Sequence, residues 1–320
     1  MAASPGTLRL GRRLTDRFGD LLLHGVTLAA SVLAVVVVGA VAYQIIKGSR
    51  PAFDKFGFGF ITSDAWNPVS GQFGALDFIY GTAVTSGIAL VVAAPLSIAI
   101  ALFLTELAPR ALRDVIGTLV ELLAAIPSVI LGLWGILVAG PFLSDHVEPF
   151  LHRYFGWIPL FSGESTGGSD VFVASMILTI MVVPIVASVS RELFLSVPGD
   201  LKEGALALGM TRWEMVRGVI LHATRPGIVA AVILGLGRAI GEAIAVSQVI
   251  GSLNVFHLNL FSAGNTLASK IASEYQGAAS NLQISALIYL GAILLVFSLV
   301  VNLLAQLIVR RFAYQRGGAV

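Results

Sequence analysis

Residues 235–246 read Gly235-Leu-Gly-Arg-Ala-Ile-Gly-Glu-Ala-Ile-Ala-Val246, GLGRAIGEAIAV, which sets Arg238 and Glu242 inside an otherwise apolar run. The composition around this stretch makes the placement unusual: 57% of the 320 residues are hydrophobic and 12% charged, with a mean hydropathy of +0.90. Soluble chains carry about 25% charged residues, so this composition excludes an ordinary soluble domain. Apolar runs of about 20 residues have the length that crosses the hydrocarbon core of a bilayer. The run at 235–246 therefore belongs to a membrane span, and its two charges need a reason.

Working outward, the sequence holds six such segments, at about 21–46, 76–107, 115–140, 170–195, 226–251 and 281–309. The expected fold class is an all-α polytopic membrane protein of six transmembrane helices. The first segment contains Ala40-Val41-Ala42, a cleavage-like pattern, but it exceeds the about 7–15 apolar residues of a secretory signal. It is read as a retained accessory helix, 21–46, after a cytoplasmic segment, 1–20. The core is expected over 76–309, with an extracytoplasmic loop at 47–75 and a cytoplasmic tail at 310–320.

The basic residues set the orientation. One side collects Arg9, Arg12, Arg13 and Arg17, then Arg110 and Arg113, then Arg191, Lys202, Arg212, Arg217 and Arg225, and finally Arg310, Arg311 and Arg316. The other side holds Lys47, Arg50, Lys55, Arg153 and Lys270. The excess of Lys and Arg marks the cytoplasmic side, which puts both termini inside. The external connections are then 47–75, 141–169 and 252–280, with Trp66, Phe155 and Trp157 expected near the headgroups. Pro95, Pro127 and Pro184 are expected to kink their spans, because each lacks an N–H and crowds the preceding turn. Asp77, at the head of the second span, has no partner legible in the sequence.

Arg238 lies twelve residues beyond Pro226, about 18 Å along a helix at 1.5 Å per residue. At that depth an arginine costs about 2.5–3.5 kcal/mol on insertion scales, so such groups face a bundle interior or a water-filled path. Residues four apart share a helix face, so Arg238 and Glu242 can pair. Two readings stay open. In one, the pair only neutralises itself and fixes the helix, with Gly237 and Gly241 as a GxxxG contact. In the other, Arg238 is the counter-charge for an anion in transit, its planar donor fork suited to oxyanions. Ser128, after Pro127, and Ser247, with Gln248 beside it, are the next polar candidates along the path or ordinary interhelical donors. Glu106 and Glu121, near span ends, are expected to pair with Arg110, Arg113 or the connection at 198–222.

That connection runs PGDLKEGALALGMTRWEMVRGVILHATRPG from Pro198 to Gly227. Asp200 with Glu203, and Thr211 with Glu214, each have the spacing of a capping box. Two short helices are expected, closed between them by Gly209 in the left-handed region. The pair of helices fits either a docking element for another protein or an amphipathic element lying on lipid.

Glu203-Gly204-Ala205, then Gly209, then Val219 and Leu221 follow the spacing of the EAA loop of ABC importer permeases, with Gly204 in place of an alanine and His222 in place of a proline. The segments Gly74–Ser86 (GALDFIYGTAVTS), Phe103–Pro109 (FLTELAP), Glu121–Gly135 (ELLAAIPSVILGLWG) and the opening stretch together resemble the PstC family, permease subunits of phosphate-specific ABC importers. The resemblance spans about residues 74–310. It implies a type I ABC importer permease (MetI-like) core, in which loop 198–222 couples to an ATPase through Glu203, Gly204, Ala205 and Gly209. It also implies that Arg238 and Glu242 are critical to transport. The implied partners are a homologous PstA-like permease, two PstB-like ATP-binding subunits and an extracytoplasmic PstS-like phosphate-binding protein, in a bacterial inner membrane.

No G-x-x-x-x-G-K-[ST] phosphate cradle occurs in the chain, so no ATPase site of its own is expected; the resemblance places ATP and magnesium at the partner subunits. Cysteine is absent, which excludes thiol catalysis and Cys-based metal sites. The histidines form no close cluster with carboxylates at ligand spacing, so no metal site is expected. A permease for another oxyanion, such as molybdate or sulfate, and an ion-gradient-driven carrier are the competing functions. The EAA-like loop argues against the carrier.

Overall fold

A computed structural model of the chain describes residues 14–314; Arg9, Arg12, Arg13 and Arg316 lie outside them. The chain divides after Gly48 into two units. Among the described residues six helices are long and apolar enough to cross a membrane, as the hydropathy pattern requires. In order they are α1 (Leu14–Phe56), α3 (Leu76–Leu107), α5 (Ser128–Phe155), α6 (Val171–Leu195), α8 (Arg212–Gly241) and α11 (Asn281–Tyr314). Between them lie the short α2 (Gly59–Thr62), an antiparallel hairpin of β1 (Trp66–Asn67) and β2 (Gln72–Phe73), α4 (Arg110–Ala125), α7 (Gly199–Ala207), α9 (Ile244–Val249) and α10 (Leu267–Glu274).

The third span is displaced from the expected 115–140. Pro127 breaks the chain rather than kinking it. The residue before a proline is driven out of the helical region, and Ile126 accordingly sits at φ −66°, ψ 125°. The stretch before it becomes a separate amphipathic helix, α4, which shows Leu112, Val115, Leu119 and Leu122 on its exposed side. The stretch after it becomes the apolar span α5, which runs on to Phe155. Pro95 and Pro184, by contrast, lie inside uninterrupted helices.

The segment 47–75 also differs from a simple loop. Helix α1 continues ten residues past the expected end at 46 and stops where Gly57 takes φ +55° and donates its N–H to the Phe53 carbonyl at 2.7 Å. The hairpin comes next, its turn held by the Asn67 side chain, which accepts from the N–H groups of Val69 and Ser70. Trp66 is not on the surface: it is buried with Phe60, Phe73, Phe78 and Leu287 in an aromatic cluster, and its indole N–H donates to Glu274 at 2.9 Å. Phe155 and Trp157 are exposed.

Asp77 gains a charged neighbour here, although its Oδ2 is buried without a hydrogen-bond partner. It is buried near Lys270, a residue 2% exposed whose ammonium lies 5.1 Å from the Trp66 ring and donates to Asn254 Oδ1 at 2.6 Å and to Glu274. Burial pushes the Lys270 pKa down, while the Glu274 and Asp77 carboxylates oppose that shift. A cation boxed by aromatic rings in this way is held by their quadrupoles as well as by its counter-ions.

Helix α6 is the centre of the bundle, with 78% of its apolar window buried; a helix apolar all round is expected to be surrounded. Helices α3 and α8 both pack against it. Small residues permit the close approach: Ala93 of α3 and Ala231 and Ala239 of α8 meet Val182 and Val186 of α6. Ser97 of α3 donates across to the Val183 carbonyl at 3.1 Å. A Cβ on Gly235 would lie 2.7 Å from Val186 and 2.8 Å from Val182, so this glycine brings α8 onto α6.

Candidate functional site

The polar centre forms where the fifth span stops being one helix. α8 ends at Gly241, Glu242 turns extended at ψ 116°, and α9 begins at Ile244. The expected continuous span 226–251 is thus broken at the acidic member of its charged pair. At its other end α8 starts at Arg212, earlier than expected, because the segment before Pro226 has helical geometry through a wide turn at Val216–Ile220.

Glu242 itself accounts for the break. Its Oε1 accepts the N–H of Ala245 at 3.2 Å, capping α9 as a short polar side chain caps an ordinary helix. Its Oε2 lies 3.0 Å from Arg238 Nη2. The Glu242 side chain is 4% exposed, whereas that of Arg238 is 47% exposed. One buried carboxylate therefore satisfies an orphan helix N–H and anchors a guanidinium that is otherwise half open.

The GxxxG reading fails within this chain. A Cβ on Gly237 or Gly241 would meet nothing within 4 Å, and both residues are exposed. The glycine in close helix contact is Gly235, before both of them. Gly237 and Gly241 instead leave the backbone beside Arg238 bare.

Ser128 is the first residue of α5, half-buried. Ser247 lies on α9, where its hydroxyl donates to the Ile244 carbonyl at 2.9 Å. These two helices pack on one another, so both serines belong to the neighbourhood of the break. Gln248 sits in the same seam with its Oε1 buried and without a hydrogen-bond donor.

The second cluster is the connection between α6 and α8. Thr211 and Glu214 form the expected capping box: Thr211 accepts from the Glu214 N–H at 3.3 Å, and Glu214 accepts from the Thr211 N–H at 2.8 Å. Asp200 and Glu203 do not. Helix α7 starts two residues too early, with Pro198 at the cap position and no side-chain cap, so Asp200 falls in the first turn, where its charge complements the helix dipole. Gly209 has φ +85°. The Met210 N–H reaches the Ala205 carbonyl and the Gly209 N–H the Leu206 carbonyl, the double closure that ends a helix on a left-handed residue.

Ala205 is buried with Phe194, Val197, Met215, Val216 and Ile220, while Glu203 and Gly204 are exposed. Leu201, Leu206, Leu208 and Trp213 are exposed too, Leu208 at 85%. The loop is thus fastened by one small apolar side and presents a larger one outward.

Glu106 and Glu121 both find cations on other elements. Glu121 pairs with Arg191 at 3.3 Å, and Glu106 with Lys202 of α7 at 2.7 Å. Lys202 also donates to the Phe194 carbonyl, so it ties α7 to the end of α3 and the end of α6. In the sequence Lys202 reads only as one more basic residue on the positive side. Both side chains of the Glu106–Lys202 pair are largely buried, at 15% and 19% exposure, so removing one strands the other. Lys202→Ala is expected to destabilise the protein by about 3 kcal/mol. A thermal-unfolding cycle with Glu106→Gln measures it; purely additive effects would show that the two groups act independently.

Among the described residues no group of three or more His, Asp or Glu side chains is placed to hold a metal ion.

Known proteins agree with this architecture. Residues 93–314 match the family described as binding-protein-dependent transport system inner membrane component. The phosphate transport system permease protein PstC of Mesorhizobium japonicum is 44% identical over 301 residues, 93% of this chain and 92% of that protein. Its namesake from Pasteurella multocida is 43% identical over 310 residues, covering 95% and 96%. Among solved structures, a chain of a bacterial alginate ABC transporter, in complex with its alginate pentasaccharide-bound periplasmic protein, superposes with a TM-score of 0.61 at 22% identity over 94% of this chain and 98% of that one. A chain of the inward-facing MetNI methionine ABC transporter gives 0.53 at 20% identity, over 73% and 94%. At these identities the two solved structures speak for the fold, that of type I ABC importer permeases. The family match over most of the core, joined to near-full-length relatives, shows that the chain belongs to the binding-protein-dependent transport system inner membrane components and groups with their PstC members.

Proposed function

We propose that the chain forms half of the membrane path of an ATP-driven inorganic phosphate importer. It lies in the bacterial inner membrane with both termini cytoplasmic, beside a homologous PstA-like permease. Two PstB-like subunits bind ATP and magnesium on the cytoplasmic side, and a PstS-like protein delivers phosphate from outside. The observation that carries the reading is the half-exposed Arg238 guanidinium anchored by the buried Glu242. A charge held at this depth yet left partly open suits an anion that must bind and then leave.

The geometry supplies a route for coupling. Helix α8 runs from Arg212, beside the Gly209 turn, to Gly241, three residues past Arg238. Its 30 residues span about 45 Å. Movement of the ATPase against α7 and the start of α8 is delivered along this rod to the guanidinium, while the Lys202–Glu106 pair carries it into α3. The transition is a rigid-body rocking of packed helices between two arrangements.

Glu242 has a second role in this reading. Hydrogenphosphate carries a proton that sulfate lacks, and a carboxylate beside Arg238 can accept that hydrogen bond. In proteoliposomes holding the whole complex, uptake of labelled phosphate is expected to resist excess sulfate or molybdate. Glu242→Gln, with its acceptor capacity reduced and its charge gone, is expected to lower uptake and narrow the preference for phosphate over sulfate. Efficient competition by either oxyanion in the wild type would overturn the phosphate assignment in favour of the broader oxyanion reading. An unchanged preference in the variant would remove the proton-acceptor role.

A further inference from the structure

Gly132 lies in none of the charged clusters, yet its position bears on both ends of the Arg238–Glu242 pair. It sits on α5, shortly after the Pro127 break, and is buried against α9. A Cβ built on it would fall 2.9 Å from the Ala245 Cα and 2.5 Å from Gln248 Oε1. The Gln248 contact is with the far end of a flexible side chain and can yield. The Ala245 contact is with backbone and cannot yield without moving the helix.

Ala245 is the residue whose N–H holds Glu242 Oε1, and Glu242 Oε2 holds Arg238. From these contacts we infer that Gly132 is a positioning residue for the anion site: the absence of a side chain there lets α5 seat the first turn of α9, which fixes the Glu242 carboxylate and, through it, the Arg238 guanidinium. The inference rests on the proposed role of Arg238 in phosphate transit and adds a residue to it. A charged donor displaced by a fraction of an ångström loses alignment with an oxyanion, and misplacement of about 1 Å can lower a rate about 100-fold. Close packing gives α9 few other places to go, because its Ala245, Val246 and Val249 are fully buried in the cluster that also holds Leu131 of α5 and Ile177 of α6.

A neighbouring glycine provides the control. A Cβ on Gly135 would also crowd α9, but the atoms it meets are side-chain atoms, the Val249 Cγ1 at 2.7 Å and the Ile177 side chain at 3.1 Å, both in the same buried cluster, so it overpacks the seam without pressing on the residue that holds Glu242. The Ala245 backbone is not among its neighbours.

The test uses the complete complex in proteoliposomes, with subunit assembly checked for every variant and ATP-dependent uptake of labelled inorganic phosphate measured. Gly132→Ala is expected to lower uptake at least about tenfold, and Gly135→Ala, which overpacks the same seam without meeting Ala245, to lower it less and to add its loss in full on a Glu242→Gln background. On a Glu242→Gln background, adding Gly132→Ala is expected to change the remaining uptake less than about twofold, since the link it disturbs is already altered. That non-additivity is the readout a merely structural glycine would not produce. If Gly132→Ala alone prevents assembly, the double variant Gly132→Ala, Gln248→Ala removes the softer contact, keeps the one with Ala245, and carries the same expectations. Wild-type uptake in the glycine variant, with Arg238→Gln inactive, overturns the positioning role and leaves the functional reading standing. Wild-type uptake in Arg238→Gln overturns the functional reading itself. A tenfold loss that persists undiminished on the Glu242→Gln background overturns the route through Glu242.

Discussion

Replacing Arg238 by glutamine is expected to abolish ATP-driven phosphate uptake while leaving the complex assembled. The side chain pairs with Glu242 at 3.0 Å and is otherwise half open, so little packing depends on its charge. Glutamine keeps one amide donor on a shorter side chain but removes the positive charge and the planar fork. A hydrogen bond to a charged group contributes about 1.5–3 kcal/mol, and each 1.4 kcal/mol is about tenfold. Loss of one such contact in the transport cycle therefore lowers uptake by about 10–150-fold. A second loss arises because Glu242 stays buried at 4% exposure without its counter-ion, and an unpaired buried carboxylate repels an incoming anion. Uptake of labelled phosphate in proteoliposomes, normalised to assembled complex, measures the combined effect. Unchanged uptake would mean that the pair serves only to pin the helix break.

Gly209→Val is expected to separate ATP hydrolysis from transport. Gly209 holds φ +85°, a conformation in which a β-branched residue is strained, by about 1–3 kcal/mol. Nothing lies within 4 Å of a Cβ there, so the penalty is one of backbone conformation, with no clash to confuse it. The valine variant relieves the strain by abandoning the turn, which re-aims α7 relative to α8. In the proposed coupling, the exposed Leu208, Leu206 and Trp213 would then meet the ATPase in the wrong arrangement, and movement would no longer enter the rod that carries Arg238. The measured quantity is phosphate moved per ATP hydrolysed, expected to fall at least about tenfold. Gly209→Asn is the control, since asparagine tolerates the left-handed region, and it is expected to keep most of the coupling. Normal uptake in the valine variant would refute the coupling role of this turn.

The parts of the site that were legible in the sequence were those encoded by short spacings. Thr211 and Glu214 form their capping box because both partners lie within one helical turn, where no distant contact is needed. Gly209 adopts the expected left-handed angle for the same reason. The Asp200–Glu203 spacing is identical in kind and failed, because the helix starts two residues earlier and Pro198 takes the cap position. Pro127 carried the right signal with too weak a reading: a proline in an apolar run can bend a helix or end it, and the packing of α5 against α9 accompanies the second outcome. The break at Glu242 had no such signal, since a glutamate four residues after an arginine normally continues a helix. It becomes a cap once its carboxylate is buried and the Ala245 N–H is its available donor.

By itself the sequence determined the membrane class, the six spans and the presence of a charged pair within the fifth. These come from hydropathy and length, because a bilayer admits only segments that satisfy their own backbone hydrogen bonds. It also determined the kinship of the loop at 198–222. Only the tertiary structure decided where the helices break, that Asp77 is buried near Lys270, that Trp66 is part of a core, and that a glycine on α5 touches the turn holding Glu242. The reason is physical: burial, close approach and the pairing of charges are made between residues far apart in the chain. Their energies depend on which helices come to lie against each other, which no local spacing records.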